Sequence, residues 1–178
     1  MINLINGRYL IRCLCHLLSD DRLRENAAEC LFAIVSWKAG KAADRAQLLS
    51  LFETSMMAPL FAAAEKANAK ALAEESDYNF LKKLVQILAE LGGQLCYVWV
   101  ADAAGSKTAS WNKRPANLDV YLNAMLAFAG HPSQTVNMTA NELWNKFFRH
   151  AEIAKDELFK TYVPKWAEAA LKKAVKVI

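Results

Sequence analysis

A chain of 178 residues with 54% hydrophobic and 22% charged side chains is rich in apolar residues, yet it holds no uninterrupted apolar run near the ~20 residues that span a bilayer. This pattern predicts a soluble protein that buries its excess apolar surface inside or against neighbours, and it excludes both a membrane span and a disordered polyelectrolyte. A net charge of +4 and a pI near 8.9 permit an anionic partner without the dense Lys/Arg clustering that would demand one.

The 3.6-residue period recurs almost everywhere and no useful strand-like alternation appears, so the chain is expected to be all-helical. The opening MINLINGRYLI carries only Arg8 and Arg12 and lacks a small-residue cleavage site, which argues against a signal peptide. A first helix is predicted from about Asn3 to Leu18, with Leu10, Cys13, Leu14 and Leu17 as its stripe. Ser19 then offers an N-cap, and Asp20 and Asp21 suit the positive end of the next helix dipole. That helix places Leu23, Ala27, Cys30, Leu31, Ile34 and Val35 on one face and reaches Gly40, a residue suited to a left-handed cap. Arg24 falls just outside the stripe, within reach of carboxylates on an adjacent turn. The whole stretch, SDDRLRENAAECLFAIV, resembles the second helix of a HEAT repeat, with a turn acid, an apolar-Arg pair, small residues and then Leu and Ile.

A third helix is expected from near Asp44, carrying Leu48, Leu49, Phe52 and Met56, with Pro59 as a kink or early end. Ser76 and Asp77 read as a cap before YNFLKKLVQILAELGGQLCYVWV. There Leu81, Leu84, Val85, Leu88, Leu91, Leu95 and Val98 form one long stripe, with a bend expected at Gly92 and Gly93. From Ala101 to Pro115 the periodicity fades into a predicted surface loop. Leu118, Tyr121, Leu122, Met125 and Ala129 mark the next helix, and GHPSQ turns the chain. Thr139 to Glu142 forms a capping box ahead of Leu143, Trp144, Phe147 and Phe148, with Met138 as hydrophobic staple, in competition with a helix already begun at Ser133. A last helix starts near Asp156 and continues through Pro164.

These elements add up to an all-α HEAT-repeat solenoid of about three to three and a half antiparallel helix pairs. The 178 residues read as a single segment of a longer solenoid, with pairs at about 3–40, 44–101 and 117–150, and 156–178 opening the next. Second helices would begin near residues 20, 76 and 133, a spacing wider than the usual ~40–47 of such repeats.

Chemistry-bearing constellations are sparse. Cys13, Cys15, Cys30 and Cys96 show no disulfide-framework spacing and fall in core-like segments, which predicts reduced, intracellular thiols. Cys13, Cys15 and His16 do not make a metal cluster, because only Cys13 and His16 share a helix face and no second cluster accompanies them. Cys96 with His131 or His150 is a poor nucleophile pair, since Cys96 sits amid apolar QLCYVW. Gly92-Gly93 lacks the context of a phosphate loop, and Glu25/Glu29 and Glu74/Glu75 read as solvated faces. The Asn137-Met138-Thr139 triplet fits a glycosylation acceptor but has no meaning in an intracellular chain.

Basic residues carry the remaining functional signal. Lys82 and Lys83 flank the long stripe, and Lys146, Arg149 and His150 lie on the polar side of the helix around Trp144. In a HEAT stack second helices line the concave face, where such side chains could meet phosphates or an acidic protein; solvated charge is the simpler alternative, and Glu90 and Glu142 dilute the patch. Trp111, Lys113 and Arg114 in the loop offer a second candidate contact.

The runs RENAAECLFAIVSWKAGK, YNFLKKLVQILAELGGQLC and LAFAGHPSQ followed by LWNKFFRH are similar to nuclear export receptors of the importin-beta (karyopherin) family, over about Leu23 to Lys165. The resemblance implies a receptor shuttling between nucleus and cytoplasm that wraps cargo in the presence of Ran-GTP. The implied cargo is double-stranded hairpin RNA with a 3′ overhang, such as microRNA precursors, with nucleoporins as further candidate partners and no membrane. It implies neither catalysis nor a cofactor of the chain's own, since GTP is bound and hydrolysed by Ran. An interaction scaffold, or a spacer that touches no cargo, is the alternative.

Overall fold

A computed structural model of the protein describes residues 4–37, 42–70, 74–103 and 117–176. It is all-α: α1 (Leu4–Leu17), α2 (Arg24–Ser36), α3 (Ala42–Leu51), a π-helical segment (Phe52–Met56), α4 (Met57–Lys70), α5 (Glu75–Ala103), α6 (Leu118–Ala129), α7 (Gln134–Arg149), α8 (Ala151–Lys155) and α9 (Glu157–Lys176). No strand occurs among the described residues, and no helix there is long and apolar enough to cross a membrane. The chain divides into two compact units, residues 1–91 and 92–178, with α5 contributing to both.

In the first unit, α2 and the start of α5 are joined by two rungs. Arg24 donates to Asp77 at 2.6 Å, with both side chains nearly fully buried, and Lys83 Nζ meets Glu29 at 2.8 Å. The rungs advance together along the two helices, so α2 and α5 run in the same direction. The Arg24 guanidinium also lies 4.9 Å from the centre of the Phe80 ring, while Lys83 lies 4.7 Å from that of Phe32. First helices behave likewise, since Arg12 of α1 reaches Ser55 and Asp21, beyond the end of α1, reaches Lys66 of α4. This is the HEAT arrangement, in which each helix lies alongside its counterpart in the next pair.

The second unit repeats the logic. Gly92 of α5 faces Tyr121 and Leu143, and Gly93 faces Lys146, so α5 and α7 run in the same direction. The Tyr162 hydroxyl donates to the Asp119 carbonyl at 3.0 Å, and Gly130 faces Ala169, which aligns α6 with α9. By contrast α6 and α7 are antiparallel: the Trp144 indole donates to the Met125 carbonyl at 3.3 Å, while Asn137 and Asn141 both donate to the Ala129 carbonyl near the end of α6. Trp144 is fully buried, stacked on Phe159 at 5.8 Å and edge-on to Phe147 at 5.9 Å.

First helices are thus bonded across 43 residues in both units, and the second helices of the first unit across 53. The difference arises because residues 42–70 form one uninterrupted helical rod, through the π segment, that supplies the first member of the second pair. Pro59 neither ends nor breaks that rod. Its missing N–H and its ring both bear on the carbonyl four residues back, Ser55, and the ladder there has already widened: Met57 N–H bonds to Phe52 O, five residues earlier.

Several sequence expectations are corrected. α1 buries Ile11, Leu14, Cys15 and Leu18 and leaves Leu10 and Cys13 exposed, one residue out of phase with the expected stripe. Ser19 is not an N-cap; its hydroxyl donates back to the His16 carbonyl, and Asp20 instead accepts from the Arg22 N–H to close a turn before α2 starts at Arg24. Arg24 belongs to the buried face, whereas Leu23 and Cys30 are exposed. Asp77 does not cap α5 but lies inside its first turn, facing Arg24. α7 begins after Ser133, so the Thr139 capping box does not form; the Thr139 hydroxyl donates to the Thr135 carbonyl and Met138 is exposed. Helix α5 continues to Ala103, inside the segment expected to be loop, and is not broken at Gly92-Gly93. Asp156 does open α9 as expected, its carboxylate accepting from the Leu158 and Phe159 N–H groups. The expected Gly40 cap, the Val98 side chain and positions 104–116 lie outside the described residues.

The two adjacent glycines should respond oppositely to alanine. A Cβ at Gly92 would collide with Tyr121 Oη and stand 2.7 Å from Leu143 Cδ1, whereas one at Gly93 would meet only the flexible Lys146 Nζ at 3.6 Å. Thermal melts of the full-length protein should show Gly92→Ala destabilised by about 1–3 kcal/mol through overpacking, and Gly93→Ala neutral or stabilised by up to about 1 kcal/mol.

Asp77 supplies a pH signature. Burial pushes its carboxyl up, but the hydrogen bond and charge of Arg24, helped by Glu74 and Lys70, outweigh burial and hold it below the usual carboxylate range. A depressed folded-state pKa means the associated stability is present above the unfolded value, near ~3.9, and is lost as pH falls through the folded value. Asp77→Ala should therefore cost about 3 kcal/mol at pH 7, chiefly by stranding buried Arg24, with its melting curve converging on the wild-type one in acid.

Candidate cationic interface

The four basic candidates on second helices have different surroundings. Lys82 and Lys83 stand on α5 in the first unit, half-buried beside a stripe in which Leu81, Leu84, Val85 and Leu88 are fully buried. Lys83 is committed internally, since its ammonium is shared between Glu29 and the Phe32 ring and only 25% of the side chain is exposed. Lys82 lies 4.5 Å from the centre of the Tyr78 ring one turn earlier and makes no ion pair among the described residues. The ring orients the ammonium without neutralising it.

Lys146 and Arg149 stand on α7 in the second unit, both exposed, on the side away from buried Leu143, Trp144 and Phe147. Three residues apart, they share one strip of the helix surface. Neither makes an ion pair among the described residues, although Glu142 lies one turn before Lys146. Lys146 sits along the seam between α7 and α5, where its charge acts on the buried thiol of Cys96. Burial still dominates there and pushes that thiol up to about 12, while Cys15, also buried, is pushed up to about 11. Both are therefore protonated and inert, whereas Cys13 and Cys30 are exposed, contrary to the core positions expected for all four cysteines.

Trp111, Lys113 and Arg114 lie outside the described residues. Cys13, Cys15 and His16 are not gathered, with Cys13 and His16 exposed and Cys15 turned into the core. His131 is engaged within the turn after α6, its Nδ1 accepting the Ser133 N–H at 3.0 Å.

Sequence reasoning missed the pairing of buried Arg24 with Asp77, and it missed the commitment of Lys83 to Glu29. The signal available for the first is an isolated Arg at the foot of an otherwise small and apolar face. Nothing near Lys83 in the sequence distinguishes it from Lys82, since Glu29 lies far back in the chain.

A family model described as the Exportin-5 family matches residues 75–177. The chain is 38% identical to human Exportin-5 and 36% identical to mouse Exportin-5, in each case over 168 residues that cover 94% of this chain and 13% of the relative. The chain thus spans about an eighth of the length of these curated relatives.

Truncating Lys83 tests its assignment as a structural contact. Lys83→Ala should lower stability by about 1 kcal/mol, through loss of the Glu29 pair and the Phe32 ring contact, and Lys82→Ala by less than half of that. Chemical denaturation of the two variants side by side measures the difference.

Proposed function

The chain belongs to the Exportin-5 family, and we propose on that basis that it is one stretch of a nuclear export receptor that shuttles between nucleus and cytoplasm. The receptor carries double-stranded hairpin RNA with a 3′ overhang, microRNA precursors in particular, and does so with Ran-GTP. Nucleoporins are further partners, met during passage. The chain itself performs no reaction and holds no cofactor; GTP is bound and hydrolysed by Ran.

Within that role Lys82, Lys146 and Arg149 are the contacts to RNA phosphates or to Ran, and the observation supporting them is that they are basic side chains of second helices without a carboxylate partner among the described residues. Double-stranded RNA is recognised chiefly by backbone and shape, so scattered cations on a repetitive helical surface suffice and no base-reading motif is needed. Lys83 contributes by holding α2 against α5. Trp111, Lys113 and Arg114 are a second set of contacts, proposed from sequence.

A spacer role is the second reading. The consumption of Lys83 by Glu29 and the seating of Lys82 over Tyr78 favour it, because both spend basic side chains on contacts inside the unit.

A titration of hairpin RNA against the full-length receptor with Ran-GTP separates the two. Replacing Lys82, Lys146 and Arg149 together by Glu should weaken RNA binding at least about tenfold and flatten the dependence of affinity on salt by about one unit of slope for each phosphate no longer neutralised. Unchanged affinity and slope would assign the segment to spacing and move the cargo site to other repeats.

A further inference from the structure

A groove of about 600 Å³ opens in the first unit between α1 and the rod formed by the π segment and α4. Its floor is apolar and small, made by Leu18 and Cys15 of the α1 end, Pro59, and Ala62 and Ala63 of α4. Its rim is basic and hydroxylic, with Arg12, His16 and Lys66 set around Ser19, Thr54 and Ser55. No acidic side chain lines it among the described residues.

Two features set this groove apart from an ordinary gap between helices. The first is charge. Arg12 is exposed and reaches Ser55 only loosely, Nε to Oγ at 3.5 Å; Lys66 meets the exposed Asp21 at 3.3 Å, an ion pair that solvent largely screens. Both cations are available to an incoming carboxylate. The second is the π segment, which supplies Thr54 and Ser55 to the wall. Such segments hold a helix in a register it does not adopt by propensity alone, and they recur at functional sites. Here the widened turn places two hydroxyls on the groove side, with Thr54 Oγ1 bonded to the Ser50 carbonyl and 3.4 Å from Ser55 Oγ.

We infer that this groove docks an acidic segment of a protein partner, one apolar side chain resting on Leu18, Pro59 and Ala63 and flanking carboxylates meeting Arg12 and Lys66. The mostly apolar floor favours a peptide over a nucleic-acid backbone, which would seat phosphates and sugars on alanine and leucine and gain nothing from them. Charge complementarity at the rim selects acidic flanks and excludes basic ones. The site is separate from Lys82, Lys146 and Arg149, and its occupancy does not depend on what cargo those residues meet.

Fluorescence anisotropy tests it with full-length protein and a fluorescein-labelled octapeptide carrying one central leucine flanked by glutamates. A peptide with glutamines in their place and a short double-stranded RNA serve as comparison probes. Arg12→Gln combined with Lys66→Gln removes the rim charge at exposed positions, and Ala62→Glu, also exposed, sets a negative charge in the groove without altering the core. The acidic peptide should bind, lose about fivefold in affinity in either variant, and bind more tightly than the glutamine peptide by a similar factor. RNA affinity should be unchanged by Ala62→Glu. Equal binding of the acidic and glutamine peptides, or acidic-peptide affinity untouched by both variants, overturns the proposal. So does loss of RNA binding in Ala62→Glu without loss of peptide binding, which would make the groove a phosphate site.

Discussion

Arg24 is the residue on which the first unit turns. It stands at the first position of α2, buried, with Asp77 on one side and the Phe80 ring on another. A guanidinium removed from water is tolerable only if its charge is met, and Asp77 meets it from the first turn of a helix 53 residues on. The requirement is strict because neither group has a cheap alternative in the interior. A slip of one residue between α2 and α5 would strand both charges, so the pair fixes register even where its net contribution to stability is modest. Once it is in place, the Lys83–Glu29 rung follows at the next turns, and Leu81, Leu84 and Leu88 are sealed from solvent.

The second unit solves the same problem without a buried ion pair among its described residues. Its register comes from shape, through the close approach of α5 to α6 and α7 permitted by the absent side chain of Gly92, and from Trp144, whose ring contacts and indole hydrogen bond leave it one position. Asn137 and Asn141 add a polar ladder that serves the Ala129 carbonyl, one of the acceptors a helix end leaves unsatisfied. Asn141 passes the ladder on through its Oδ1 to the Trp166 indole at 2.8 Å, tying α9 to the same set. Charge in one unit and steric fit in the other reach the same side-by-side order of equivalent helices.

Much of this is legible in the sequence, and the exceptions share a cause. The long stripe of α5 and the apolar face of α6 are readable because polar residues separate their apolar ones cleanly. In α1 apolar residues run nearly around the helix, so two phases fit, and only the neighbouring rod decides that Ile11 and Cys15 go inward. Ser19 and Thr139 carry good capping chemistry, but a capping residue acts only where the chain begins a helix, and tertiary packing sets those starts at Arg24 and Gln134. The partners of the basic candidates are invisible for a different reason. Whether a surface lysine is free or spent depends on what stands opposite it in space, and Lys82 and Lys83, adjacent in sequence, come out differently.

The π segment also bears on how the family's sequences are compared. One extra residue per turn is stored between Phe52 and Met56, inside a rod that is otherwise continuous, so the segment is an insertion with no loop to mark it. Deleting a single residue there would restore a plain α-helix and rotate everything beyond it by about 100° relative to everything before it. Either Leu49 and Phe52 or Leu60 and Ala64 would then leave the core. An alignment gap placed at this point would therefore signal a change in which face of the rod is buried, although the rod's length would barely alter.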